Sequence, residues 1–324
     1  MRAMVVDRLE GLAALALGEL PAPVPGGNEV LIDVHRAGVA FPDLLMTRGL
    51  YQRRPELPFA PGMEVAGVVV SAPDGSGLAA GDRVAALCWH GGYAEQVACP
   101  AVNVFPMPPG MSFDVAAAVT LNYLTAVFAL EHRGALRAGE TVLVHGASGG
   151  LGTACVQVAA ADGARVIAVV ADAARRGGPA REAGAHEVVD ADGFKDAARE
   201  LTDGRGVDVV VDPVGGDRFT DSLRSLAPEG RVLVLGFTAG DIPQVKVNRL
   251  LLGNLGVLGV ATGEYAAHHP EAPADGWRRV AELFTAGLVN PPLAQVLPLE
   301  GAVDALRLVE QRRVAGKVVL AVRD

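Results

Sequence analysis

The stretch Thr141-Val142-Leu143-Val144-His145-Gly146-Ala147-Ser148-Gly149-Gly150-Leu151-Gly152 sets an apolar, β-branched run, a glycine-rich turn and a helix start in immediate succession. Small residues at such a turn let a phosphate approach the backbone, and the first helical turn offers unpaired N–H groups and the positive end of its dipole. In register with the pattern G-x-G-x-x-G the chain supplies Ala147, Gly149 and Gly152, so the first glycine is replaced. With 40 glycines in 324 residues a near match alone carries little weight, and its context carries the rest. Leu151, Ala154, Cys155, Val158 and Ala159 recur at helical spacing, and a second strand at Arg165 to Val170 completes a β-α-β unit. The competing reading is an ordinary tight strand-to-helix connection.

The length suits two domains. A net charge of −9, from 28 basic and 37 acidic residues, disfavours nucleic acid as a partner. The N-terminus meets a charge too early for a signal peptide, and the longest apolar candidate, Leu250 to Ala261, is too short to span a bilayer. A soluble cytoplasmic protein with no membrane partner is expected. Cys88, Cys99 and Cys155 are odd in number and widely spaced, which argues against a disulfide framework or thiolate zinc site and for packing roles. None of the seven histidines has the i, i+4 spacing of a helical metal pair, so no metal site is expected.

Short β-rich segments broken by Pro and Gly run from residue 1 to about 119. Between 120 and about 256 strands and helices alternate, which predicts a doubly wound parallel sheet. From 257 to 324 the structure returns to mixed type, with amphipathic helices around Val280 to Ala286 and Val303 to Gln311 and a final strand at Lys317 to Val322.

This order, with Pro61-Gly62-Met63-Glu64-Val65-Ala66-Gly67, Gly81-Asp82-Arg83-Val84, Gly92-Tyr93-Ala94-Glu95, Tyr123-Leu124-Thr125-Ala126 and Gly206-Val207-Asp208-Val209-Val210-Val211-Asp212, resembles the medium-chain dehydrogenase/reductase superfamily along the whole chain. The resemblance implies an α/β fold in which a doubly wound parallel Rossmann sheet (120–256) is inserted into a β-rich, GroES-like catalytic domain (1–119 and 257–324). Alcohol dehydrogenases of the superfamily hold catalytic zinc through a cysteine and a histidine at positions that match Ala40 and Met63 here, and neither side chain can replace them. The four-cysteine structural lobe is also missing. What remains is similar to the zinc-independent quinone oxidoreductase branch, with enoyl reductases as close relatives.

Cofactor choice falls just past the second strand, where an acid suits the ribose 2′-OH of NAD and cations suit the 2′-phosphate of NADP. Arg175 and Arg176 there point to NADPH, with Asp172 close by as the competing signal for NAD. The resemblance adds Thr125, Val214, Gly236 and Phe237 to the glycine-turn residues Ala147, Ser148, Gly149, Gly150, Leu151 and Gly152 as the cofactor-binding set, lining an interdomain cleft. Tyr51, in Gly49-Leu50-Tyr51 before Pro55-Glu56-Leu57-Pro58, resembles the catalytic tyrosine of enoyl-thioester reductases, and serves either as proton donor, as an aromatic wall or in packing. Glu64 resembles a retained acidic residue with a supporting role. The expected activity is hydride transfer from NADPH to a quinone or related conjugated carbonyl. The alternatives are an enoyl-thioester reductase using Tyr51 and a cofactor-binding structural or interaction protein without turnover. The family also implies a homodimer, joined through edge strands near Leu255 to Val260.

Overall fold

The computed structural model describes residues 1–323. The N-terminal part comprises β1 (Arg2–Val6), β2 (Leu15–Glu19), β3 (Glu29–Val39), α1 (Phe41–Thr47), β4 (Glu64–Ser71), β5 (Arg83–Leu87), β6 (Gln96–Pro100) and β7 (Val104–Pro106). A long helix, α2 (Phe113–Val127), runs on into a π-helical turn at Phe128–Arg133. Alternation then begins with β8 (Thr141–His145), α3 (Gly150–Ala161), β9 (Arg165–Val170), α4 (Ala173–Arg176), α5 (Gly178–Glu182) and β10 (Glu187–Asp190). It continues through α6 (Phe194–Glu200), β11 (Val207–Asp212), α7 (Phe219–Ser225), β12 (Leu226–Val234), α8 (Asn248–Gly253), β13 (Gly256–Gly259) and α9 (Thr262–His268). After these come α10 (Ala272–Thr285), β14 (Leu293–Pro298), α11 (Ala302–Glu310) and β15 (Lys317–Ala321).

The chain forms two compact units, the first made of Met1–Leu121, Pro270–Ala281 and Leu293 onward. Its main sheet runs β14-β15-β3-β4-β5-β7, with β6 also paired to β3. Along β3, Val30, Ile32 and Val34 are wholly buried while their neighbours are half-buried, the period of two that one packed face imposes. Met4, Leu44, Met63, Val65, Tyr93 and Leu320 fill the same core.

The second unit is Asn122–His269 with Glu282–Pro292. Its six strands are parallel and ordered β10-β9-β8-β11-β12-β13. Val142, Leu143, Val144, Val209, Val210 and Val211 have no exposed surface, because helices cover both faces and leave the inner strands no polar side. The strand order reverses between β8 and β11, and in open α/β sheets ligands bind outside the carboxyl ends of the strands at that point.

The expected boundary at 256/257 is corrected. It would cut β13 from the sheet in which Val257 and Leu258 pair with Val232 and Leu233. α9 also stays with this unit, its Tyr265 packing against Phe128 and His132 at centroid distances of 5.0 and 4.8 Å. Residues 282–292 return because Gln157 on α3 bonds both backbone groups of Asn290. α10 begins well before Val280, since Trp277 stacks on Phe105 and donates to the Pro106 carbonyl at 3.0 Å.

A second correction concerns membrane-spanning length. Phe113–Arg133 forms 21 helical residues whose most apolar window has a mean hydropathy of 1.6, long and apolar enough to cross a bilayer by composition. Two-thirds of its apolar window, 67%, is buried within the protein, as in a core helix.

Candidate active site

The glycine turn follows β8 at the reversal of strand order. Gly146 has φ +62°, the left-handed conformation that glycine adopts without strain. Ala147 is wholly buried, is not among the residues of positive φ, and donates its N–H to the Val169 carbonyl at 3.2 Å. The tight bend has moved one residue upstream to Gly146, so alanine at the first motif position costs nothing. Gly149 caps α3 in extended conformation, and Gly150 and Leu151 open its first turn, where helix geometry leaves N–H groups without intrahelical partners. Ser148, Gly149 and Gly150 are half-buried. A Cβ on Gly152 would lie 2.1 Å from the Gly146 carbonyl oxygen, so only glycine allows α3 to approach β8 this closely.

Val214 borders this turn: a Cβ built on Gly146 would stand 3.6 Å from its Cγ2. Asp212, at the end of β11, is buried and its Oδ1 accepts the N–H groups of Val214 and Gly215, each at 2.8 Å. The following loop is zipped to the one carrying Gly236 and Phe237, as Thr238 donates to Pro213 and Ala239 to Val214 through the backbone. Phe237 is 38% exposed. Thr125 lies half-buried near the end of α2, two residues from Tyr123, whose hydroxyl donates to Gln157 on α3 at 2.6 Å. His145 is buried against Ser222, Nε2 to Oγ 2.9 Å, and burial lowers its pKa to about 4 despite the nearby Asp212 carboxylate. It stays neutral at pH 7.

Past β9, Asp172 is the N-cap of α4. Its Oδ1 accepts the Arg175 N–H at 3.0 Å, and Asp190 Oδ1 accepts the Ala173 N–H at 2.6 Å. Both carboxylates are thereby committed to holding a four-residue helix that displays Arg175 and Arg176. The Arg175 side chain is 87% exposed. All twelve cofactor candidates thus belong to the second unit.

Tyr51 belongs to the first unit, half-buried in the turn after α1 and packed against that unit's core. Ala40 and Met63 are buried at the two positions that match zinc ligands, and their side chains offer no imidazole or thiolate. What their backbones contact went unread in the sequence. Asp43, with no exposed surface, takes the Ala40 N–H on Oδ2 at 2.8 Å and the N–H groups of Gly62 and Met63 on Oδ1 at 3.2 and 3.1 Å. The Tyr93 hydroxyl donates to Oδ2 at 2.9 Å. Burial pushes the Asp43 carboxyl up to about 6, against the pull of these donors and of Lys317. Beside it, Glu64 is paired with Lys317, both almost wholly buried, and Glu64 Oε2 accepts the Leu121 N–H at 2.7 Å. Glu64 therefore supports structure. The only sequence signal for Asp43 is an acid at the third position of a helix that starts next to proline.

Residues 26–109 match the family model of the alcohol dehydrogenase GroES-like domain, and residues 150–282 that of the zinc-binding dehydrogenase. The chain is 38% identical over 306 residues to quinone oxidoreductase-like protein 2 of Rattus norvegicus, covering 94% of this chain and 87% of that protein. Among solved structures, a probable oxidoreductase from Mycobacterium abscessus is 45% identical with a TM-score of 0.90, covering 99% of this chain and 98% of its own. The quinone oxidoreductase from Thermus thermophilus, solved also in complex with NADPH, is 35% identical with a TM-score of 0.85, covering 99% and 100%. The chain belongs to the medium-chain dehydrogenase/reductase superfamily, in its quinone oxidoreductase branch.

Proposed function

We propose that this protein is a zinc-independent, NADPH-dependent oxidoreductase that reduces quinones or related conjugated carbonyls. The observation that carries the reading is the cradle at the sheet's switch point. Gly152 leaves no room for a side chain between α3 and the turn, and α4, which follows the strand next to β8 in the sheet, carries two arginines. The residues fit the cofactor: the first-turn N–H groups of α3 suit a pyrophosphate, and Arg175 and Arg176 suit a 2′-phosphate. NADPH, when bound, supplies the hydride. The chain's own residues orient it, with Thr125, Val214, Gly236 and Phe237 toward the nicotinamide end. Zinc independence is supported by the donor chemistry at Ala40 and Met63, which offers no thiolate, imidazole or carboxylate at either position.

On the acceptor side Tyr51 supplies an apolar ring and a phenol. A proton delivered from its Oη to a reduced acyl acceptor would make the enzyme an enoyl-thioester reductase, whereas a quinone needs the ring only as a wall. We further propose a cytoplasmic homodimer. β13 is paired on one side only, and Leu251 and Leu252 beside it are 76% and 82% exposed, so two such edges meeting across a twofold axis would cover both.

The test is anaerobic oxidation of NADPH by the purified protein with a simple quinone and, at matched concentration, a short enoyl thioester, with NADH as paired control. Quinone-dependent turnover preferring NADPH is expected. Thioester-dependent turnover would put Tyr51 at the centre of the chemistry. Cofactor binding with neither acceptor reduced would sink both readings.

A further inference from the structure

The Asp43 carboxylate joins two segments far apart in sequence. Ala40 and Phe41 open α1, while Gly62 and Met63 lead into β4, and the first segment sends one backbone N–H and the second two to the same side chain. Four donors around two oxygens is close to the full acceptor capacity of a carboxylate. The surroundings are built for this contact. Gly62 has φ +103°, and a Cβ there would lie 2.5 Å from the Tyr93 ring, so the turn that aims its N–H at Asp43 admits only glycine. Tyr93 has no exposed surface, and its hydroxyl has Asp43 as partner. Phe41, immediately after Ala40, and Tyr51, in the turn after α1, pack on the same core.

We propose that Asp43 is a positioning residue for acceptor binding, whose carboxylate cross-links the start of α1 to the turn before β4 and so fixes Phe41 and the turn carrying Tyr51. This rests on the reading of the first unit as the acceptor side. Three of the clamp's four donors are backbone groups, so no side-chain identity at Ala40 or Met63 is needed. The Tyr93 hydroxyl acts through Asp43, while its ring packs in the core.

The experiment uses the full-length protein, with Asp43→Asn, Tyr93→Phe, the double variant, and Asp74→Asn, at an exposed position, as a surface-carboxylate control. Asparagine keeps the shape but turns an N–H₂ toward groups that are themselves donors. Hydrogen exchange is expected to quicken in Asp43→Asn over 40–51 and 60–64 and to stay unchanged over 141–161. The KM for quinone should rise about tenfold or more, with kcat and the NADPH dissociation constant within about twofold. Tyr93→Phe should raise KM about threefold, and the double variant should match Asp43→Asn. Unchanged exchange at both segments overturns the proposal, as do additive losses or an equal loss of quinone and NADPH affinity. The exchange data need no turnover, so an inactive wild type would count against the proposed reaction and leave the clamp decided on its own. Should Asp43→Asn fail to fold, Tyr93→Phe decides alone, and an unmoved quinone KM in it overturns the proposal.

Discussion

The two units build their candidate sites from opposite materials. In the second unit the site is backbone: a turn at Gly146, a helix start at Gly149 and a close approach at Gly152, with side chains needed chiefly to stay out of the way. In the first unit the organising element is a side chain, the Asp43 carboxylate, around which backbone from two segments gathers. A backbone site is robust to most substitutions and destroyed by a methyl group at one position. A buried carboxylate is sensitive above all to its own charge.

The largest effect is expected at Gly152. Valine there would set a Cβ 2.1 Å from the Gly146 oxygen, and neither α3 nor β8 can retreat without disturbing a core with no exposed atoms. Overpacking of this kind costs about 3 kcal/mol. The variant should melt well below the wild type and lose measurable NADPH affinity in a fluorescence titration. A stable Gly152→Val protein that binds NADPH normally would break the contrast, because the backbone would then not be the site.

Next is the charge state of Asp43. Its folded pKa of about 6 lies above the ordinary 3.8, because burial outweighs the donors that favour the anion. Between about pH 4 and 6 the folded protein therefore holds a proton that the unfolded chain has released. The corresponding stability is fully present below about pH 4 and is lost as pH rises through about 6. That difference amounts to roughly 3 kcal/mol in the ideal case. Tyr93, Glu64 and Lys317 face the same carboxylate, and Asp43→Asn leaves all three in place. Urea midpoints from pH 4.5 to 7.5 should fall more steeply with pH in the wild type than in Asp43→Asn. Parallel curves would show that Asp43 titrates as an ordinary surface acid. The ionised carboxylate that organises the loops is thus maintained at a cost in stability, a trade common where structure serves a site.

Third, removing both arginines of α4 should cost NADPH about 2 kcal/mol of binding, roughly thirtyfold, as charge-assisted hydrogen bonds to a phosphate do at partly solvated positions. NADH, lacking that phosphate, should bind Arg175→Ala/Arg176→Ala as it binds the wild type. Equal losses for both cofactors would place the arginines in the fold of α4 and not in recognition.

The contrast also explains what could be read from the amino-acid order. Glycine turns and central strands are local: Val142 to Val144 and Val209 to Val211 run apolar because both faces are covered, and Gly149 and Gly152 stand at fixed offsets from a strand end. The fold class and the course of the glycine turn were therefore legible. Asp43 was not, since its four donors come from positions 40, 62, 63 and 93, and no local pattern announces that they converge. The domain boundary near 256 misled for the same reason. β13 looks like any short apolar strand, and only its pairing with β12 assigns it to the parallel sheet. Likewise a single pair, Gln157 with Asn290, carries residues 282–292 back to the second unit across 133 positions.

Asp172 sharpens the comparison with the smallest effect. In sequence it competes for the ribose 2′-OH, which would favour NAD. In the structure its Oδ1 is occupied by the Arg175 N–H, and Oδ2 stands 3.7 Å from Arg175 Nε, so it behaves as part of the backbone scaffold. Loss of such a cap costs about 1 kcal/mol, here spread over one helical turn of α4. Asp172→Ala should therefore raise the NADPH KM about threefold, through looser presentation of the arginines, and leave the NADH KM within about twofold. Steady-state kinetics with both cofactors measures this directly. A selective tenfold loss with NADH would return Asp172 to the ribose, and a side chain would then share the recognition that the glycine turn and the arginine pair are assigned here.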